Sequence, residues 1–481
     1  MRSFARLLVS TALLGLATQQ GCGKRSSANN GTAGVGGFAG ALGQSGAAGA
    51  GSAGSAASAG TGGTTASPGS GGDTAALVNV LTQHNDIARS GTNLKETTLT
   101  STNVATPAFG MRFVRAVDDQ IYGQPLIVSG VDVPGKGKRN LVYVATVAGT
   151  VYAFDADSAS ETEPLWKQTL VPVGARPTLN TDMNVGGMKD GACAGNYVDF
   201  SGNMAIASTP VIDPETSTLY TVVRTVEGGQ QRQRVHALDI RDGSERVTSP
   251  VLVQASVPGT GDGSDGGRVV FQALYENQRL SLLLLNGIVY IGWSGQCDWG
   301  PYHGWLMGYD AQTLTQTVVY NTTPDGQAGG VWQSGQGPAS DGSSLFVLTG
   351  NGSVGVKDDP RSARNRGHSF LKLTREQGTF KIDSWFTPYN YDYLNYADLD
   401  LGSAGMTFVP GTRLAIAGGK GSRLYVVDRE NMGGLSNSQA DDNIIQSFDV
   451  NTPYHIHGSP LFCKARQLQP GGCTCGRKRT S

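Results

Sequence analysis

Two short strands are encoded by the stretch Leu141-Val-Tyr-Val-Ala-Thr-Val-Ala-Gly-Thr-Val-Tyr-Ala-Phe-Asp-Ala156. Its apolar residues are continuous or alternate, and Gly149 marks a turn between the two strands. The same pattern returns in four later stretches, Leu219–Asp239, Val289–Asp310, Leu345–Leu373 and Leu414–Asp428. A repeat of roughly 55–85 residues built from short strands is typical of a β-propeller. We therefore predict an all-β fold made of four-stranded antiparallel blades.

Proline residues indicate where each repeat begins, because proline is tolerated at the first residue of a strand. They occur at Pro125, Pro210, Pro338 and Pro460. Five units can be counted from Gly123 to about Val450, and a sixth opens near Pro460. We expect about six to eight blades in an intact chain, of which the last is incomplete here.

We place the propeller region at residues 75–460. The sequence at its two ends indicates that the last blade is incomplete. Residues 461–481 are rich in cysteine and basic residues and show no alternation, so we predict an atypical tail. One hypothesis is that the reading frame is truncated or shifted near Pro460, and the alternative is a native tail beyond an irregular blade. The stretch 109–117 is typical of an outer strand that could pair with the final blade. Without that blade, two sheet edges would stay open.

Residues 1–22 are predicted to be a signal peptide, with a positive start, an apolar run over 7–17 and then Gly21-Cys22. This pattern predicts a bacterial lipoprotein in which Cys22 is lipidated, although ordinary cleavage to a secreted protein is the alternative. Residues 23–74 are mostly Gly, Ala, Ser and Thr and are predicted to be a flexible tether. We therefore expect an exported protein, held at the outer membrane or cell surface by an N-terminal lipid.

The composition excludes some partners. The net charge is -1 and charged residues make up 16% of the chain, so nothing favours nucleic acid. Of six cysteines, Cys193 and Cys297 lie in the propeller region, where an oxidising compartment would permit a disulfide between them. The alternative is two small residues that never meet.

The repeats resemble the PQQ-like repeats of the quinoprotein alcohol dehydrogenase-like superfamily. The likeness is carried by Val151-Tyr-Ala-Phe-Asp-Ala156 followed by Leu165-Trp166, and in that family the tryptophan docks between blades. Further motifs resemble those of uncharacterised bacterial lipoprotein-like propellers. These motifs are His84-Asn-Asp-x-x-Arg89-x-Gly91, Pro301-Tyr-His-Gly-Trp305, Gly330-Val-Trp-Gln-Ser-Gly335, Thr349-Gly-Asn-Gly352 and His455-Ile-His-Gly-Ser-Pro460.

The resemblance implies two alternative functions. A quinoprotein oxidoreductase would use pyrroloquinoline quinone (PQQ) with Ca²⁺ at the propeller channel, and the enzymes of the family carry a vicinal cysteine pair. This chain has no Cys-Cys pair and no C-x-x-C-H haem attachment motif. Because the superfamily also contains propellers that are not enzymes, we favour an exported binding or scaffold module for a protein or a surface polymer.

Several residues are candidates for binding. A polar, glycine-rich loop between two strands could line a ligand pocket, and its candidates are Asp298, Trp299, Tyr302, His303 and Trp305. The alternative is an ordered loop with Trp305 in the core. Two pairs that alternate along predicted strands are candidate metal ligands, His455 with His457 and Asp398 with Asp400. The alternatives are hydrogen-bonded structural histidines and solvated or capping aspartates.

Two further motifs are predicted to be structural. His84, Asp86 and Arg89 are expected to form a local turn network in which Arg89 binds a carboxylate. The Gly350-Asn-Gly352 stretch predicts a tight turn, since no lysine follows it to make a phosphate loop.

Overall fold

The chain forms a series of small sheets, seen in a computed structural model that describes residues 79–184, 191–450 and 455–462. Five sheets follow one another along the sequence, and in each of them four strands form an antiparallel meander. We call these sheets blades 1 to 5. They confirm the predicted all-β fold of four-stranded antiparallel propeller blades. The predicted signal peptide, Cys22 and the tether lie outside the described residues, as does the tail after Phe462.

The strands are assigned to the blades as follows. Blade 1 contains β1 (Leu126–Val133), β2 (Gly137–Ala145), β3 (Thr150–Asp155) and β4 (Trp166–Thr169). Blade 2 contains β5 (Arg176–Pro177), β6 (Val211–Asp213), β7 (Thr218–Glu227), β8 (Gln230–Asp239) and β9 (Val251–Leu252), with β5 and β6 both paired to β7. A separate hairpin consists of β10 (Ser256–Pro258) and β11 (Arg268–Val270).

The second half of the chain continues in the same way. Blade 3 contains β12 (Leu283–Leu285), β13 (Ile288–Trp293), β14 (Trp305–Asp310) and β15 (Gln316–Asn321). Blade 4 contains β16 (Ala339–Ser340), β17 (Leu345–Leu348), β18 (Phe370–Glu376) and β19 (Thr379–Thr387). Blade 5 contains β20 (Thr407–Phe408), β21 (Leu414–Gly418), β22 (Arg423–Asp428) and β24 (Gln446–Asp449), while β23 (Gly434–Leu435) pairs in parallel with β19. A short helix, α1 (Tyr391–Tyr396), lies between blades 4 and 5.

The five blades coincide with the five repeats counted in the sequence. Pro125, Pro210 and Pro338 each directly precede the first strand of a blade, as predicted from the tolerance of proline at that position. The 455–462 segment, where the sequence predicts that a sixth unit opens, forms no strand. The middle strands are buried over most of their length because both of their faces are covered by protein.

The hydrophobic core lies between consecutive blades. Four clusters of buried apolar residues each combine side chains from two neighbouring blades, from blades 1 and 2 through to blades 4 and 5. Trp166 of β4 packs against blade 2, and its indole nitrogen donates to the Ile240 carbonyl at 3.1 Å. This tryptophan therefore docks between blades, as the resemblance implied. Burial of each large apolar side chain stabilises the fold by about 1.5–3 kcal/mol.

The segment 80–90 crosses the first strands of successive blades. Backbone hydrogen bonds join Val80 to Ile127 of β1, Leu81 to Ile212 of β6, Ile87 to Ser340 of β16 and Ala88 to Phe408 of β20. The first strands of a propeller line its central channel, so this segment runs along the channel. We call residues 80–90 the channel segment.

Arg89 lies near the end of the channel segment and is fully buried. Its guanidinium donates to the carbonyls of Gln83 and Pro338 and to the Thr82 hydroxyl, at 2.7–2.9 Å. The prediction that Arg89 binds a carboxylate is therefore wrong, because its acceptors are a hydroxyl and a carbonyl of the nearby Thr82 and Gln83 and the carbonyl of the distant Pro338. Asp86 does form the predicted local turn, accepting from the Ser90 amide at 3.0 Å.

The loops of each blade divide between two faces. In a four-stranded meander, the loop after the second strand and the loop after the fourth strand leave from the same end. We call this end the upper face. It carries long loops, whose described residues are 170–184, 191–210, 253–282, 294–304, 349–369 and 388–406. In the described parts of the chain, no helix is long and apolar enough to cross a membrane.

Candidate functional site

A disulfide ties two loops of the upper face together. Cys193 lies between β5 and β6 of blade 2 and Cys297 in the loop after β13, and their Cα atoms are 5.2 Å apart. The structure thus joins the two cysteines that the sequence left as either a pair or two separate residues. Since the bond encloses 104 residues of sequence separation, it restricts the movement of the loop that carries Asp298.

Asp298 belongs to a cluster formed by loops of three different blades. The Tyr302 hydroxyl donates to one carboxylate oxygen of Asp298. The amide nitrogen of the Asn351 side chain donates to the other oxygen at 2.8 Å, and also to Asp398 at 2.8 Å. Asn351 follows β17 and is 6% exposed, so a single buried amide bridges carboxylates from the upper-face loops of blades 3 and 4.

Lys420, from the loop after β21, neutralises part of this negative charge. Its ammonium group lies 2.6 Å from Asp400 and 3.1 Å from Asp398. Asp400 also accepts the backbone amide of Asn351 at 2.7 Å. Although burial would lower the pKa of Lys420, these two carboxylates raise it above its usual value. We call Asp298, Tyr302, Asn351, Asp398, Asp400 and Lys420 the acidic cluster.

The cluster holds three carboxylates and one ammonium group, so it carries excess negative charge when all three acids are ionised. Asp298 has solvent-exposed surface, but protein groups surround its carboxyl. Burial, together with the charges of Asp400 and Asp398, raises the pKa of Asp298 to about 6, against the hydrogen bonds from Tyr302 and Asn351. Its carboxyl can therefore gain or lose a proton near neutral pH.

Gly350 permits the close packing that forms the cluster. A Cβ atom at this position would lie 2.2 Å from a carboxylate oxygen of Asp400 and 3.0 Å from the Trp332 ring. The tight turn predicted at Gly350-Asn-Gly352 is not formed: the chain only bends at Asn351, and Gly352, with a φ of 154°, forms an isolated bridge with Ala328. This bend places Asn351 between the carboxylates. The indole nitrogen of Trp332, which packs beside Gly350, is buried without a hydrogen-bond partner.

The five candidate ligand-binding residues separate into two groups. Asp298 and Tyr302 belong to the acidic cluster. His303 is buried, and its ring bonds to Thr323 and to the Asp262 carbonyl at 2.9 Å each. Trp305 is fully buried in the core between blades 2 and 3. For Trp305, the structure therefore agrees with the alternative interpretation, in which this residue belongs to the core.

Trp299 lies between these two groups. Its ring packs edge-on against Tyr275 at a centroid distance of 4.7 Å. It is 8% exposed, and its indole nitrogen is buried without a partner. Trp299 therefore supports the loop beneath Asp298 and presents little surface to a ligand.

The candidate metal ligands occupy two different settings. Asp398 and Asp400 lie in a loop after α1 rather than on a strand, and both face the Lys420 ammonium group. His455 and His457 lie in a segment without strand structure, with ring centroids 5.7 Å apart. Among the residues that the structure describes, no group of three His, Cys, Asp or Glu side chains could hold a metal.

A second polar group lies deeper, beneath the loops of blades 2 and 3. Glu276 is 1% exposed and accepts from the His303 amide and the Trp305 indole, both at 3.1 Å. Burial raises the pKa of Glu276 well above its usual value, against the hydrogen bonds from His303 and Trp305. The guanidinium of Arg224, also 1% exposed, donates to Asn277 at 3.4 Å, while its Nε and Nη2 atoms are without partners.

Sequence reasoning missed Asn351, Lys420, Glu276 and Arg224. A signal for the first two was present in the repeats, because both residues follow the second strand of a blade, as Asp298 does. Aligning the repeats by their second strands would have placed these three residues on one face. The pattern gave no such signal for Glu276 and Arg224, since their partners come from distant loops.

The chain was compared with known proteins. No family model matches it, and neither does any curated protein. Among solved structures, it is similar to quinohemoprotein alcohol dehydrogenase ADHIIG from Pseudomonas putida HK5, with 16% identity and a TM-score of 0.47 over 75% of this chain. It is also similar to the quinohemoprotein alcohol dehydrogenase from Comamonas testosteroni (16% identity, TM-score 0.46, 75% of this chain).

A third similar structure is a europium-containing methanol dehydrogenase, with 14% identity and a TM-score of 0.46 over 77% of this chain. The chain spans 47%, 48% and 58% of the lengths of these three structures. The structures to which the chain is similar thus include two quinohemoprotein alcohol dehydrogenases and a methanol dehydrogenase.

Proposed function

We propose that the upper face is a binding module for a hydroxyl-rich or amine-bearing surface polymer. The observation that carries this proposal is the bridge from Asn351 to Asp298 and Asp398, two residues that keep exposed surface. Carboxylates fixed in this way accept hydrogen bonds from hydroxyl or ammonium groups, and charge-assisted bonds of this kind are about twice as strong as neutral ones.

The charge of the acidic cluster narrows the ligand class. Three carboxylates outnumber the one ammonium group, and Lys420 is already held by two of them. A polyanion would be repelled, whereas a neutral or amino-substituted glycan would be accepted. The exported and lipid-anchored location expected from residues 1–74 would present this face to cell-surface polymers.

The test is a titration of the whole protein with chitosan oligosaccharides, which carry amines, and with chitin oligosaccharides, which do not. We expect the Asp298→Asn variant to weaken binding of the amine series about tenfold, since one charged hydrogen bond contributes about 1.5–3 kcal/mol. Asp392→Asn is the matched control, because Asp392 is exposed on α1 of the same face and outside the cluster. Equal affinities of both variants and of the unmodified protein for the amine series would contradict the proposal. If neither glycan series binds and a protein partner does, the ligand class is a protein rather than a polymer.

The pKa of Asp298 gives this proposal a pH dependence. Because this pKa is raised to about 6, the carboxylate form gains population as the pH rises from 5 to 7. Chitosan amines lose charge over the same interval, so the effect is measured on the chitin series, whose amides stay uncharged. Affinity for that series should increase as the pH rises, because a carboxylate accepts hydroxyl hydrogen bonds more strongly than a neutral acid does. Asp298→Asn should remove the increase, as measured by calorimetric titration at several pH values.

An oxidoreductase is the second candidate, and the same carboxyl favours it. A side chain with a pKa near the working pH is suited to general acid–base catalysis. However, the described cluster does not fit a polycarboxylate quinone such as PQQ. Its acids would repel the quinone carboxylates, Lys420 is already paired, and Arg224 is 1% exposed.

An assay separates the two candidates. The protein would be incubated with PQQ, Ca²⁺, primary alcohols and an electron-accepting dye. Binding alone predicts no dye reduction above that of the mixture without protein. Dye reduction that is lost in Asp298→Asn would instead establish the oxidoreductase.

A further inference from the structure

A group of exposed tyrosines lies on the upper face, in and just before α1. Tyr389 is 40% exposed, Tyr393 is 59% exposed and Tyr396 is 90% exposed. In the described loop 388–406, every exposed large apolar side chain is one of these three tyrosines. Because large aromatic side chains are mostly buried in folded proteins, an exposed group of them indicates a surface that meets a ligand.

The geometry of α1 fixes which side of the helix faces solvent. Leu394 is 4% exposed, and the side-chain oxygen of Asn395 accepts the Gly352 amide at 2.8 Å. These two contacts hold the helix against the loop that carries Asn351 of the acidic cluster. Tyr393 and Tyr396 are neighbours on the opposite side of the helix, with Cβ atoms about 5–6 Å apart. We call these two residues the tyrosine pair.

The tyrosine pair adjoins the acidic cluster. Asp398 follows Tyr396 by two residues, which span at most about 7 Å of chain. The Asp398 side chain is 66% exposed, while Asn351 at 2.8 Å and Lys420 at 3.1 Å hold it in place. A ligand that lies over the Tyr396 ring is therefore within reach of a fixed, accessible carboxylate.

The chemistry of this surface distinguishes between kinds of ligand. An aromatic face attracts C–H groups and cations, and the adjoining carboxylates accept hydrogen bonds from hydroxyl and ammonium groups. An amino sugar offers all of these, because C–H groups line a face of its pyranose ring and its amine and hydroxyls project from the rim. An apolar protein surface would leave the carboxylates without partners, and an aliphatic polyamine presents no ring to stack.

We propose that the tyrosine pair is a platform on which the sugar rings of an amino-substituted glycan stack, with their amines directed to the acidic cluster. This inference rests on the proposed function and narrows its ligand, since it excludes polymers that carry amines without sugar rings. Tyrosine is suited to such a platform because its ring supplies a large contact area with few rotatable bonds.

The test uses two probes, a chitosan tetramer and spermine, which carries as many amines as the tetramer but has no sugar ring. Calorimetric titrations of the full-length protein with both probes are made at one pH. Tyr393→Ala combined with Tyr396→Ala should weaken tetramer binding about tenfold and spermine binding less than about twofold, because only the sugar loses its stacking surface.

A second double variant separates the rings from their hydroxyls. Tyr393→Phe combined with Tyr396→Phe keeps both aromatic faces and should bind the tetramer within about twofold of the unmodified protein. Since both tyrosines are exposed, neither double variant should change the thermal unfolding midpoint.

The outcomes distinguish this inference from the proposed function. Tetramer binding that is unchanged in the alanine double variant would overturn the platform, and a loss in Asp298→Asn would then show that the acidic cluster acts alone. Equal weakening of tetramer and spermine would also overturn it, since the rings would then bind amines rather than sugars. A loss in the alanine double variant with none in Asp298→Asn would support the platform and contradict the proposed role of Asp298.

Discussion

Individual residues show where sequence reasoning reached the site and where it stopped. The sequence predicts two unrelated sets of site residues. Asp298 and Tyr302 are candidates for binding a ligand, and Asp398 and Asp400 for binding a metal. The structure brings them together through Asn351, which had been assigned only to a turn. Residue type predicted the polar chemistry, but only contacts between blades could show that one ammonium group, Lys420, lies against Asp398 and Asp400.

Glu276 leads to a prediction on stability and pH. Its folded pKa is raised well above 4.5, so the folded protein binds a proton that the unfolded chain releases. Stability from this group therefore falls as the pH rises above about 4.5, by about 1.4 kcal/mol per pH unit until the folded pKa is reached. Glu276→Gln keeps an acceptor for His303 and Trp305 and should remove this loss.

Thermal unfolding midpoints between pH 5 and 9 would measure the effect. We expect the unfolding midpoint of Glu276→Gln to rise relative to that of the unmodified protein as the pH increases. Glu227→Gln is a matched control, because the Arg234 side chain lowers the pKa of Glu227 to about 2. Parallel pH curves for Glu276→Gln and the unmodified protein would contradict the assignment.

At the scale of elements, the strands were predictable and the loops were not. Alternating apolar residues and the prolines before first strands identified all five blades, because these signals lie within a few residues of each other. The channel segment escaped prediction, since its hydrogen-bond partners in β1, β6, β16 and β20 are spread over the whole chain. The same reason explains why the hydrogen bond from Arg89 to the distant Pro338 carbonyl escaped prediction.

Arg89 provides the prediction for this element. Its planar guanidinium reaches acceptors on the channel segment and on Pro338 at once, which a lysine ammonium group cannot do. Arg89→Lys should leave buried carbonyls unpaired and lower the free energy of unfolding by about 3 kcal/mol. Urea unfolding would measure the change, with the exposed Arg268→Lys as a control expected within about 0.5 kcal/mol. A similar small change for both variants would show that Arg89 does not hold the channel segment.

At the scale of the whole molecule, each blade contributes to a core that it shares with its neighbours. A radial array of this kind exposes its loops at two ends, and here the long loops and the acidic cluster share the upper face. The repeats predicted the array, whereas the number of blades in an intact chain stays a prediction. The placement of that face outside the cell depends on the N-terminal residues, which lie outside the described structure.

The predicted lipid anchor at Cys22 can be tested by membrane fractionation of the full-length protein. If Cys22 is acylated, the protein should partition with membranes, because two or more acyl chains anchor a protein stably whereas one binds only marginally. Cys22→Ser should move most of the protein from the membrane fraction to the soluble exported fraction and abolish incorporation of labelled palmitate. Cys193→Ser is the matched control, since that cysteine is bonded to Cys297 and should leave the partition unchanged. If the unmodified protein is instead soluble and takes up no labelled palmitate, ordinary signal-peptide cleavage is favoured. The protein would then be a secreted binding module.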